Sequence, residues 1–156
     1  MCGTRYDDVR LATLRDAPWN CCATLAVLAA ASTPPAFGYA NQYPLPPDCV
    51  RFNRIADNDD ARWKVMGTML MTDESGPLNV VYGRDLQDPT LFDPHLAQGI
   101  GYALALALAP SWRLDRARIM DIKALYDDTK RTAMFVGSQE NSPEQFGEDV
   151  LLRARR

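Results

Sequence analysis

Few residues of this chain carry reactive chemistry, and their spacing limits what that chemistry can be. Four cysteines occur, Cys2, Cys21, Cys22 and Cys49, beside a single histidine, His95. A structural zinc site wants thiolates and imidazoles in close pairs such as Cys-x-x-Cys. No such pair is present, so the residues predict no metal site and no cofactor. Cys21 and Cys22 are neighbours, and a bridge between them would be strained. All four thiols read as reduced and partly buried. Asp57, Asp59 and Asp60 cluster three carboxylates, but a calcium loop needs a glycine and a later glutamate at fixed places, and these are missing. The cluster reads as a solvated turn. His95 follows Pro94 and reads as a surface or structural residue. There is no Gly-rich phosphate loop, no His/Glu metal motif and no G-x-S-x-G elbow, so no catalytic residue is assigned. Trp19, Trp63 and Trp112 are too scattered for a stacking platform and read as packing anchors.

The totals point the same way. A chain of 156 residues with 47% hydrophobic and 24% charged residues is long enough for one domain with a real core. Its net charge is −3 and its pI about 5.1, whereas a phosphate-reading surface usually makes a domain basic. Residues 23–31 are apolar but too short to span a bilayer, and no secretion signal is visible. No membrane role is expected, and assembly in the cytoplasm is.

The elements that must position any site can be read from periodicity and punctuation. "TRYDDVRLATLRD" (4–16) reads as a helix capped by Thr4, with Tyr6, Val9, Leu11 and Leu14 in one apolar band, and Pro18 stops it. Residues 19–56 stay ambiguous: "NCCATLAVLAAAS" suits a helix by propensity and a strand by alternation. From Cys49 to Asp85 the pattern is β, with a hairpin around Gly67 and a Tyr82-bearing strand, as in a small antiparallel sheet.

"GIGYALALALAP" (99–110) alternates like a strand but is a helix by its signals. Asp93 is a good N-cap, Pro94 fits the first helical position, and Pro110 ends the run. That span is long for a strand of ~5–6 residues. The helix is apolar all round and must therefore be covered all round. Either it is the central helix of its own domain, or a second subunit covers the remainder. A longer helix over 112–136 follows "LAPSW", with Gly137 as its stop. The fold expected is α+β: an antiparallel helical bundle, built on a long C-terminal helix hairpin, with a small antiparallel β domain. One domain covers 1–138, with helices 4–16, 93–109 and 112–136 and a β region over 20–85. A C-terminal arm covers 139–156, with Phe146, Val150, Leu151 and Leu152 as apolar anchors and Arg153, Arg155 and Arg156 at its end.

Taken in order, several stretches resemble the tail tubular protein A family of short-tailed phages, the head-to-tail adaptors. These are "YDDVRLATLRDAPWN", "FGYANQYPLPPDCVR" (37–51), "WKVMGTMLMTDESGPLNVVYGRD" and "DPTLFDPHLAQGIGYALALALAP". The resemblance covers residues 6 to about 136 and is most specific over 43–51 and 88–110. Family members usually carry one more helix before the first one here. The resemblance implies a non-enzymatic structural protein of the virion tail. It assembles with copies of itself as a ring, twelve-fold in the family, between a portal protein and a tail nozzle protein. DNA passes through the lumen without sequence-specific binding. It also turns residues 20–30 into a strand. On this reading Leu104, Leu106, Leu108 and Tyr126 are subunit-interface residues. Phe146, Leu151, Leu152, Arg153, Arg155 and Arg156 form the arm that contacts the portal. The competing expectation is a small α+β enzyme or ligand-binding subunit of unknown substrate, and a third is a DNA-binding regulator using the Arg-rich helix, against which the acidic balance argues.

Overall fold

A computed structural model describes residues 2–140. Helix α1 (Cys2–Asp16) leads through a 3-10 turn (Asn20–Cys22) into strands β1 (Ala23–Leu28), β2 (Asn41–Pro44), β3 (Cys49–Ile55), β4 (Trp63–Met66), β5 (Met69–Thr72) and β6 (Leu78–Arg84). A second 3-10 turn (Pro89–Leu91) precedes α2 (Pro94–Leu108) and α3 (Arg116–Glu140). The strands form two antiparallel three-stranded sheets, ordered β1-β6-β3 and β2-β5-β4.

The sheets exist in two because one cannot bury its own inner face. Along β6, Leu78, Val80 and Tyr82 alternate inward with less buried neighbours. Leu78 and Val80 meet Leu28 and Ile55 of the same sheet and Tyr43 and Leu70 of the other, which together form one apolar core. Gly67 takes φ 61° at the β4–β5 corner, the first central position of a two-residue hairpin loop, where glycine relieves the strain. Gly76 lies so close to the buried Tyr43 ring that a Cβ there would stand 2.8 Å from the tyrosine hydroxyl.

A second core joins the helices to the first sheet. Leu14 near the end of α1 and Ala17 just after it meet Trp19, Cys22, Leu86, Leu96 and Ile100. Trp19 donates its indole N–H to the Thr13 carbonyl at 2.8 Å, so the chain turns back under α1. Arg10 is also inside, 4% exposed. It is paired with Asp85 at the end of β6 and donates to the Leu86 carbonyl at 3.0 Å.

The α+β class agrees with this structure, but the architecture expected within it is corrected. The helices do not form a bundle on a long C-terminal hairpin. A bundle closes a core of its own, whereas here four of the seven core residues, Ala17, Trp19, Cys22 and Leu86, come from outside α1, α2 and α3. Gly137 is the one buried residue of α3, which lies along the surface. The β part is two sheets with their own core rather than one small sheet. Three boundaries also differ. Thr4 lies inside α1 instead of capping it. Asp115, accepting the Arg118 N–H at 2.8 Å, starts α3 later than expected. Gly137 does not stop α3. It is buried against Asn20, whose Nδ2 donates to the Gly137 carbonyl at 3.2 Å, and the helix runs on to Glu140.

Replacing Arg10 by methionine should therefore destabilise the fold by ~3–5 kcal/mol, because it strands the Asp85 carboxylate. Chemical denaturation checks this, and a loss below 1 kcal/mol would show that the pair is not effectively buried. Gly101→Ala should add about 0.5–1 kcal/mol of helix propensity, since among the described residues nothing lies within 4 Å of its side-chain position. Gly99→Ala should not gain it, because its Cβ would press the Trp19 ring at 3.3 Å.

Candidate functional site

The apolar helix is a helix, α2, with both start signals in place. Asp93 Oδ1 accepts the His95 N–H at 2.7 Å, and Pro94 opens the first turn. Its first half is well covered: Leu96, Gly99 and Ile100 are buried against α1 and Trp19. Its second half is not. Every residue from Tyr102 to Leu108 is only half-buried, and burial resumes at Ala109. Leu104, Leu106 and Leu108 all belong to this run. Leu104 and Leu108 stand one turn apart on one face, and Leu106 is rotated about 200° from Leu104.

Leu106 and Tyr126 meet in one groove. It holds about 550 Å³ between the three helices and is lined also by Val9, Ala12, Thr13, Arg15, Asp16 and Ala103. Leu104 and Leu108 lie outside its lining. Tyr126 is not a free contact residue: its hydroxyl donates to Asp16 Oδ2 at 2.8 Å, and Lys130 Nζ donates to the same oxygen at 2.7 Å. The Lys130 ammonium also stands 4.8 Å from the centre of the Tyr126 ring. The hydrogen bond from Lys130 draws the Asp16 carboxyl below its ordinary range against burial, and the Tyr126 bond adds to it. Burial, and then the Asp16 contact, pushes the Tyr126 phenol up. This network closes the groove floor between the end of α1 and the middle of α3.

Further apolar surface lies elsewhere. Phe37 is 88% exposed beside a hollow shaped by Pro35, Tyr39, Met66 and Met71. Trp112, expected as a packing anchor, is 60% exposed in the turn after α2. Trp19 is buried, and Trp63 packs edge-on to Phe52 at 4.7 Å. Among the acidic cluster, Asp57 accepts from Asn79 and Asp59 pairs with Arg54. Phe146, Leu151, Leu152, Arg153, Arg155 and Arg156 lie outside the described residues.

One cluster escaped the sequence reading. Cys21, Asp93, His95 and Glu140 line a cavity of about 20 Å³ with Trp19, Asn20, Ala133, Val136 and Gly137. The Cys21 and Cys22 sulfurs are 3.8 Å apart. The Cys22 thiol hydrogen bond draws the Cys21 thiol down, and the same contact pushes the buried Cys22 thiol up. No sequence spacing links residues 21, 93 and 140; only the docking of α3 on the 3-10 turn brings them together. Among the described residues, no group of three or more His, Cys, Asp or Glu side chains is placed to hold a metal, and no helix is long and apolar enough to cross a membrane.

Asp16 and Asp85 both have lowered carboxyl pKa values; at Asp85 burial opposes the shift, and bonds from Arg10 and Gln87 outweigh it. A lowered folded-state value contributes stability above the unfolded value of ~3.9. That contribution disappears as pH falls through the folded value. The denaturation midpoint should thus fall below about pH 4, and the fall should be shallower in Asp16→Asn. An identical acid profile in that variant would remove Asp16 from the account. Tyr126→Phe should cost about 1 kcal/mol.

No protein-family model and no curated protein matches this chain.

Proposed function

We propose that this chain is a structural, ring-forming adaptor of a phage virion. It acts as a head-to-tail connector of the kind that the tail tubular protein A resemblance implies. Copies of the chain close a ring between a portal protein and a tail nozzle protein, and DNA passes through the lumen. The observation that carries this reading is the incomplete cover of α2. Seven successive residues, Tyr102–Leu108, are each left partly exposed among the described residues, none of them fully buried. Apolar surface left on that scale favours burial against another copy, at ~25 cal/mol per Å² removed from water.

The mechanism is binding alone. A heterologous contact, one patch on one copy meeting a different patch on the next, generates a ring when its rotation closes. The Leu104 and Leu108 face supplies one patch. The groove holding Leu106 supplies an apolar hollow on another side of the same helix. The net charge of −3 suits a channel wall that repels phosphate rather than holding it. Phe37 and its neighbours, on the β side, offer apolar surface to the nozzle. The cavity at Cys21 and His95 is the feature nearest to an enzyme site, and it has room for only one water-sized molecule.

Leu104→Glu combined with Leu108→Glu tests the reading. Both positions are partly exposed in the subunit, so the helical signal in circular dichroism should persist while ring formation on a portal is lost. Sedimentation of wild type and variant with and without portal measures this. A wild-type chain that stays monomeric with portal, or a variant that assembles as well as wild type, contradicts it.

A further inference from the structure

The two edges of the first sheet are finished differently. β3 forms one of them. It carries Arg51 and Arg54, and its register with β6 is broken twice. Charges and bulges of this kind keep an edge from pairing further. β1, "ATLAVL" over 23–28, forms the other edge. It holds no charge and no proline, and its register with β6 is unbroken. Among the described residues β1 pairs only with β6. Leu25 and Val27 point away from the core, 78% and 66% exposed. Val81 and Asn79, their partners across the pair, share that outer face. We propose that this edge and face take up the chain's own C-terminal segment, with Val150 and Leu152 set against Leu25 and Val27.

Position, length and charge select that occupant. α3 runs to Glu140, and Asn20 holds its end, donating to the Gly137 carbonyl at 3.2 Å and to Glu140 Oε2 at 3.1 Å. Asn20 opens the turn that leads directly into β1, so α3 delivers the chain to the start of that strand. Residues 141–149 can span up to about 30 Å when extended, whereas β1 is only about 20 Å long. Residues 150–152 therefore reach any point along it. "EDVLLRARR" (148–156) spaces Val150 and Leu152 as Leu25 and Val27 are spaced, which puts each pair on one side of an extended chain. Arg153, Arg155 and Arg156 follow. A segment that enters beside Ala23 and runs towards Leu28 carries these arginines to the far end of β1. Asp57 stands at that end: it accepts from Asn79 Nδ2 at 3.2 Å, and Asn79 is paired with Val27. Asp59 and Asp60, in the same turn, are exposed as well. Docking removes apolar surface from water and gives the free edge of β1 backbone partners. The assignment concerns the lone chain, before it meets a portal, and does not rest on the ring.

Hydrogen exchange of the dilute full chain, read by peptide mass spectrometry, tests this. Peptides covering 23–28 and 149–153 should both be protected, and further dilution should leave that protection unchanged. In Val150→Glu combined with Leu152→Glu, 23–28 should exchange on the order of tenfold faster. The buried Leu96–Ile100 turn of α2 serves as the folding reference and should not respond. In Val27→Glu, 149–153 should lose its protection in turn, so each side of the contact reports on the other. Exchange at 149–153 as fast as in a free peptide would overturn the assignment, as would a 23–28 segment indifferent to the double variant. Protection that disappears on dilution would also overturn it, by giving the face to a second copy. If the Leu96–Ile100 reference shows that one variant has unfolded, the other variant and the dilution series decide it.

Discussion

A single buried ion pair sets the frame on which the rest of this protein is hung. Arg10 is the one charged residue among the buried described residues. Its guanidinium holds Asp85 and the Leu86 carbonyl, and Asp7 one turn earlier stands 3.7 Å away. The contact ties the middle of α1 to the end of β6, the central strand of the first sheet. The chain then needs only a short turn, capped by Asp88, to reach Asp93 and the start of α2. Fixing the end of β6 therefore fixes where α2 begins. Buried pairs are weak sources of net stability, but a misplaced one is heavily penalised. Here the penalty falls on any arrangement in which the helices slip along the sheet.

The coverage of α2 follows from that anchor. Its first two turns are pressed onto Trp19 and Leu14, and Gly99 lets the indole approach closely. Beyond Ile100 the helix leaves the shared core, and among the described residues the flanks of α1 and α3 lie beside it. The Tyr126–Asp16–Lys130 network holds those flanks together at one level. The leucines past that point, Leu104, Leu106 and Leu108, stay partly exposed among the described residues. A surface built this way is suited to assembly, because the subunit can fold without its neighbours and still offer them an apolar face.

Local punctuation made α2 and the β4–β5 hairpin legible. Asp93-Pro94, Pro110 and Gly67 act through backbone geometry and hydrogen bonds with near neighbours, which a sequence displays directly. What was illegible depended on distant partners. Arg10 lies outside the apolar band of Tyr6, Val9, Leu11 and Leu14 on α1, and its burial rests on Asp85 and the Leu86 carbonyl, far away in sequence. Gly137 reads as a helix stop, yet its missing side chain makes room for Asn20 across the fold. The second sheet was hidden because alternation marks an inward face without saying what covers it. The meeting of Cys21 with His95 and Glu140 has no local signal at all. Leu106 and Tyr126 are interface residues on the family resemblance, and they share a groove, but the Asp16 bond that occupies the Tyr126 hydroxyl has no signal in the sequence.

On the proposed reading, copies of the chain cover the outer half of α2. The most direct measurement is thiol labelling at position 104 in a Leu104→Cys variant, followed by peptide mass spectrometry. It compares the dilute chain with the chain assembled on a portal. Fast labelling in the dilute chain and strong protection in the assembly are predicted. Equal labelling in both states, or protection already complete in the lone subunit, would contradict the account.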